Sequence, residues 1–137
     1  MKKLIIFLFL ISTLFYTHSF NNSFCIKNYF TGEYTAYSSS SNTKDINLGF
    51  CSITNTKTKS TIGESIICQN LELSAAIKTL KATVLKKEYL DCNTVVIYGY
   101  SPLINKSVNL NNLKVNIQIA VKDNEIIIGW PLILGSF

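Results

Sequence analysis

Apolar and polar positions fall into two regimes along the chain, an unbroken hydrophobic block at the start and short alternating segments after it. Every residue from Leu4 to Leu10 is apolar, and the run continues through Ile11, Leu14, Phe15 and Tyr16 behind the cations Lys2 and Lys3. A positive start followed by an apolar stretch of roughly 13 residues has the form of a secretory signal peptide. A membrane-spanning helix needs about 20 apolar residues, and here Thr17, His18 and Ser19 interrupt the run. The small side chains of Thr17 and Ser19 suit the pockets of a signal peptidase. Residues 1–19 are therefore expected to be removed, leaving 20–137 as one secreted domain that meets the membrane only transiently, through its leader.

Past a polar, aromatic-rich lead-in at 20–27, alternation predicts strands over 33–38, 48–54 and 62–68. Loops rich in Ser, Thr, Asn and Lys separate them, because short hydroxyl and amide side chains compete with backbone ladders. A helix follows, with Asn70 as its N-cap, Glu72 in its first turn, and Leu73, Ala76, Ile77 and Leu80 forming one apolar stripe. Four further strands are expected over 82–90, 94–100, 113–121 and 125–134. The third has the cleanest period of two: Val115, Ile117, Ile119 and Val121 face one way, and Asn116, Gln118 and Ala120 the other. That pattern describes a sheet with one buried face and one wet face. Asn111-Asn112 and residues 122–125 read as turns, and Gly129 with Pro131 as a bulge or edge in the last strand. The expected fold class is α+β: an antiparallel meander with one main helix packed on one face.

Charge narrows the function classes. The chain has 13 cations, all lysine, against eight acids, a formal charge of +5; without Lys2 and Lys3 this falls to +3. The lysines are dispersed and there is no arginine fork to read guanine edges or grip phosphates, so no nucleic-acid partner is expected. The four cysteines, Cys25, Cys51, Cys68 and Cys92, all follow the leader. An even count in a small secreted domain reads as a disulfide framework of two bridges with three pairings open. Long gaps and the lack of a CxxC pair argue against a metal site.

The chemistry of catalysis is thin. His18 is the only histidine and leaves with the leader, which removes Ser–His and Cys–His dyads and imidazole metal ligands. Ser65 follows Gly63-Glu64, but Ile67 breaks the Gly-x-Ser-x-Gly elbow. Glu64, Glu72, Glu88, Asp91, Asp123 and Glu125 read as dispersed, solvated carboxylates, not as a pair converging across a cleft. Asp123-Asn124-Glu125 is too sparse in oxygen ligands for a calcium site and is taken as a turn. No catalytic residue, metal ligand or cofactor is expected. Among the aromatics Tyr89, Tyr98, Tyr100 and Trp130, core packing is the leading reading. Trp130, between Gly129 and Pro131, is the candidate contact for a peptide or glycan.

Three segments carry a family resemblance. They are Val96-Ile97-Tyr98-Gly99-Tyr100-Ser101-Pro102-Leu103-Ile104, Val115-Asn116-Ile117-Gln118-Ile119-Ala120-Val121, and Ile128-Gly129-Trp130-Pro131-Leu132-Ile133. Together they resemble the YwmB-like family of exported proteins of Gram-positive bacteria, over about residues 71–137. The resemblance implies a TATA-box-binding-protein-like fold, with a helix followed by four antiparallel strands, and a loose association with the cell envelope. It supplies no catalytic residues. A fold of that name does not imply DNA binding. The expected function is an exported, non-enzymatic binding or structural protein of the envelope or extracellular space, whose partner is a protein or a cell-wall polymer. The alternative is a small secreted hydrolase or toxin that works without histidine.

Overall fold

Segments of alternating, β-branched character pair into an antiparallel sheet of seven strands, with one short helix crossing a face. The computed structural model describes residues 24–39, 51–58 and 61–133. The expected leader, its cleavage point and His18 lie outside the described residues, as do the expected strand start at 48–50 and the loop between the first two strands.

In chain order the elements are a 3-10 turn at Ile26–Asn28, β1 (Glu33–Ser39), β2 (Cys51–Thr54), β3 (Thr61–Gln69), helix α1 (Leu73–Thr79), β4 (Thr83–Tyr89), β5 (Thr94–Tyr100), β6 (Val108–Leu110), β7 (Leu113–Val115), β8 (Ile117–Lys122) and β9 (Glu125–Trp130). The sheet runs β2-β1-β3-β9-β8-β5-β4, and β6 and β7 form a separate hairpin. Sequence neighbours pair at β1–β2, β4–β5 and β8–β9, as a meander expects, the last two through short turns. The last strand, β9, seats itself between β3 and β8. Helix α1 carries the chain from central β3 to β4 at the sheet's far edge.

The core forms where period-two strands meet the helical stripe. Ile66 and Cys68 of β3, Ile117 and Ile119 of β8, and Ile126 and Ile128 of β9 lie with Ala76 and Leu80 of the helical segment in one buried cluster. The opposite face carries a smaller cluster of Val96, Ala120 and Ile127, packed by Ile67, Tyr98 and Ile133. The expected wet face of the 115–121 segment is thus covered: Gln118 and Ala120 are buried. Ile133 N–H donates to Gln118 Oε1 at 2.8 Å, so the chain after β9 folds back over that face.

Asn116 is also buried and divides the expected strand into β7 and β8. Its side chain accepts from Ser101 N–H at 2.6 Å and donates to the carbonyls of Ser101 and Ile104 at 2.7 and 2.8 Å. A buried amide needs such partners, and these hold the loop after β5.

Two local expectations change. Asn70 adopts φ 56° and does not cap α1; Glu72 stands at the N-cap with extended backbone. Asn70 instead turns the chain sharply out of β3, a conformation that asparagine tolerates. Gly129 marks no bulge or edge, because it pairs with Ser65 on one side and Gln118 on the other. It is glycine because a Cβ there would lie 2.7 Å from Ile133 Cγ1 and 3.0 Å from Ile133 N. The Asn111-Asn112 turn is as expected, with φ 47° and 66° between β6 and β7.

Candidate functional site around Glu64

Along β3, residues 64, 66 and 68 share a face, and that face is the one under α1. Glu64 therefore points where Ile66 and Cys68 point, into the protein, and is fully buried. This corrects its assignment as a solvated acid. The error lay in reading the carboxylate without its strand neighbours: alternation had already put Glu64 in register with two buried apolar residues.

A buried carboxylate must be surrounded by donors, and four elements supply them. From β1, Tyr34 Oη donates to Oε1 at 2.5 Å. From β9, Trp130 Nε1 donates to Oε2 at 2.5 Å. The first residue of the 3-10 turn, Ile26, directs its backbone N–H at Oε2 from 3.4 Å. After β2, Lys57 brings its ammonium to 3.5 Å from Oε2. The same ammonium donates to the Phe24 carbonyl. Glu64 thus ties the 24–30 segment and the β2–β3 connection to the centre of the sheet.

Trp130 is buried at 4% exposure, so its indole faces the carboxylate and not solvent. The outward contact expected of it would need a surface that the side chain does not present. Lys57 Nζ lies 5.3 Å and Lys106 Nζ 5.9 Å from its ring centroid, and Phe24 meets it edge-on at 6.1 Å. Ammonium groups over an indole are attracted by the ring quadrupole, by roughly 0.5–2 kcal/mol each.

Two neighbouring acids feel the arrangement. Burial, followed by the hydrogen bond and charge of Glu64, raises the Tyr34 phenol far above its ordinary value. Burial, then the Glu64 charge and hydrogen bond, raises the Cys25 thiol, opposed by a hydrogen bond from the Lys27 backbone and then by the Lys57 charge. Both groups stay protonated beside the carboxylate. Neither is activated as a nucleophile, since reactivity belongs to the thiolate.

Among the described residues no two cysteines lie at disulfide-bonding distance. Cys25, Cys68 and Cys92 carry free thiols, and the Cys51 side chain lies outside the described residues. The reason is placement. Cys25 sits beside Glu64, Cys68 points into the core under α1 with its thiol raised by burial, and Cys92 is exposed in the β4–β5 turn. These three positions belong to different parts of the fold.

The remaining candidates do not converge. Ser65 alternates to the face opposite Glu64, where its hydroxyl lies 3.0 Å from Tyr37 Oη. Asp91 accepts from Asn93 N–H and Thr94 Oγ1 at 2.8 and 3.1 Å, which closes the β4–β5 turn and lowers its carboxyl below the usual range. Glu88 pairs with Lys86 on the exposed edge. Tyr98 is half-buried on the smaller cluster, while Tyr89 is 71% exposed on β4. Among the described residues, no three His, Cys, Asp or Glu side chains are grouped to hold a metal ion, and no helix is long and apolar enough to cross a membrane. No protein-family model, curated protein or solved structure matches the chain.

Proposed function

We propose that this chain is an exported, non-enzymatic binding or structural module of the cell envelope or extracellular space. The observation that carries the reading is the use made of Glu64. Both carboxylate oxygens are engaged by internal donors, so the most deeply placed acid of the fold acts as a tie between strands and N-terminal segment. Exposed apolar side chains collect instead on β4 and the residue after it, where Val84, Leu85, Tyr89 and Leu90 face solvent. The leader-like start of the sequence supports export. The segments that resemble the YwmB-like family support an envelope setting, and with it a TATA-box-binding-protein-like arrangement for α1 and the strands that follow it.

Fractionation of the producing cells, with N-terminal mapping of the recovered chain, tests this reading. The expected product begins at Phe20 and is found outside the cytoplasm. An intact chain retained in the cytosol contradicts export. Turnover in a broad hydrolase screen, abolished by one Ser or Glu substitution, contradicts the non-enzymatic reading in favour of a histidine-free hydrolase.

A further inference from the structure

Strand β4 closes one side of the sheet and pairs with β5 alone. Six of its seven residues are exposed. Leu90 N–H donates to Thr94 O at 3.0 Å. Alternation along an antiparallel ladder then turns the backbone N–H and C=O of Lys87 and Tyr89 away from β5, toward solvent. Such a row of outward groups is a template for another strand.

The side chains restrict which strand. In antiparallel self-pairing, outward-facing residues must stand opposite outward-facing residues. The central symmetric registers then put Lys86 against Lys86, Lys87 against Lys87, or Glu88 against Glu88, and like charges directly opposite are destabilising. Every central self-pairing register thus sets one like-charge pair at its middle, offset only in the Lys87 register by two Lys86–Glu88 pairs, whereas an acid from another chain opposite Lys87 meets no like charge. Lys86 is paired with Glu88 on one face. On the other face Lys87 lies beside Tyr89, its Nζ 5.3 Å from the ring centroid, at the rim of the sheet. A strand laid along β4 meets a cation at Lys87 and an apolar ring two residues on, both on the same face.

Building on the reading of the chain as a binding module, we propose that β4 is a strand-addition site for an extended segment of a partner protein. That segment carries an acid opposite Lys87 and an apolar residue opposite Tyr89. Backbone bonds to Lys87 and Tyr89 supply pairing, and the charge at Lys87 supplies selection.

Fluorescence anisotropy with the full chain and short strand peptides tests this directly. One peptide alternates Glu and Val along one face with Thr along the other; a second has Lys in place of Glu; a third is the acidic peptide with alternate backbone amides N-methylated. The acidic peptide is expected to bind about tenfold or more tighter than the basic one, weakening with salt. Lys87→Glu is expected to reverse that preference, and N-methylation to abolish binding. Where Lys87→Glu fails to fold by circular dichroism, the N-methylated peptide on the unsubstituted chain still decides. Equal binding of the N-methylated peptide, an unchanged preference in Lys87→Glu, or no binding by any peptide overturns the proposal. A cytosolic location or enzymatic turnover would instead overturn the module reading, and neither result alters the peptide titration.

Discussion

Trp130 on β9 donates its indole N–H to Glu64 on β3 at 2.5 Å, across directly paired positions of the two central strands. The bond joins the last strand of the sheet to a buried charge that also holds Tyr34 and Ile26. Trp130→Phe keeps an aromatic ring but removes the donor and part of the indole's buried volume, leaving Oε2 with one partner fewer. A loss of about 1–3 kcal/mol in unfolding free energy is expected, measured by urea denaturation followed by circular dichroism. Unchanged stability would mean that the bond contributes nothing.

Because Trp130 is the only tryptophan, its emission reports on this site alone. In the native chain it is expected to be shielded from acrylamide and to become accessible when Tyr34→Phe and Lys57→Ala are combined. Quenching in the unsubstituted chain equal to that of the unfolded chain would contradict its burial.

The thiols give a pH dependence. Cys25 and Cys68 are both raised above the ordinary value of 9.0, largely by burial. For groups raised in the folded state, the protonated form is favoured by folding. The contribution to stability is full below 9.0, falls as pH climbs past it while the unfolded chain releases protons first, and is gone above the raised folded values. Denaturation midpoints are expected to drop as the pH rises past 9.0, and less so in Cys25→Ser.

Thiol labelling separates the cysteines by position. Cys92 is expected to react rapidly in the native protein, whereas Cys25 and Cys68 react slowly until the chain unfolds. Mass mapping that finds Cys25, Cys68 or Cys92 in a disulfide would contradict the placement of these side chains.

Gly129 tests the fold-back of the chain after β9. A Cβ at this position would press on Ile133, so Gly129→Ala is expected to cost about 1–3 kcal/mol. Gly129→Ala combined with Ile133→Ala is expected to recover part of that loss.

Much of this architecture was legible because period-two and period-3.6 patterns are local. The strand at 94–100 and the stripe of Leu73, Ala76, Ile77 and Leu80 were read at or near their observed places. Features fixed by chain segments distant in sequence were not. Asn116 looks like a wet-face residue until the loop at Ser101 and Ile104 closes on it. Trp130 looks like an edge aromatic because nothing local shows that β9 inserts between β3 and β8. Four cysteines imply bridges by composition, but pairing depends on positions in space. Glu64 was the avoidable miss, since its register with Ile66 and Cys68 was already in the sequence.

That the buried carboxylate is spent on holding the fold together is tested most directly by Glu64→Gln. The substitution keeps the shape and removes the charge: the amide oxygen still accepts from Trp130 and Ile26, the amide N–H turns to Tyr34 Oη, which must then accept, and Lys57 loses its counter-charge. A loss of roughly 3 kcal/mol in unfolding free energy, with a red-shifted Trp130 emission, is the expected result. Unchanged stability and emission would show that Glu64 does not tie the structure, and would contradict the role assigned to it.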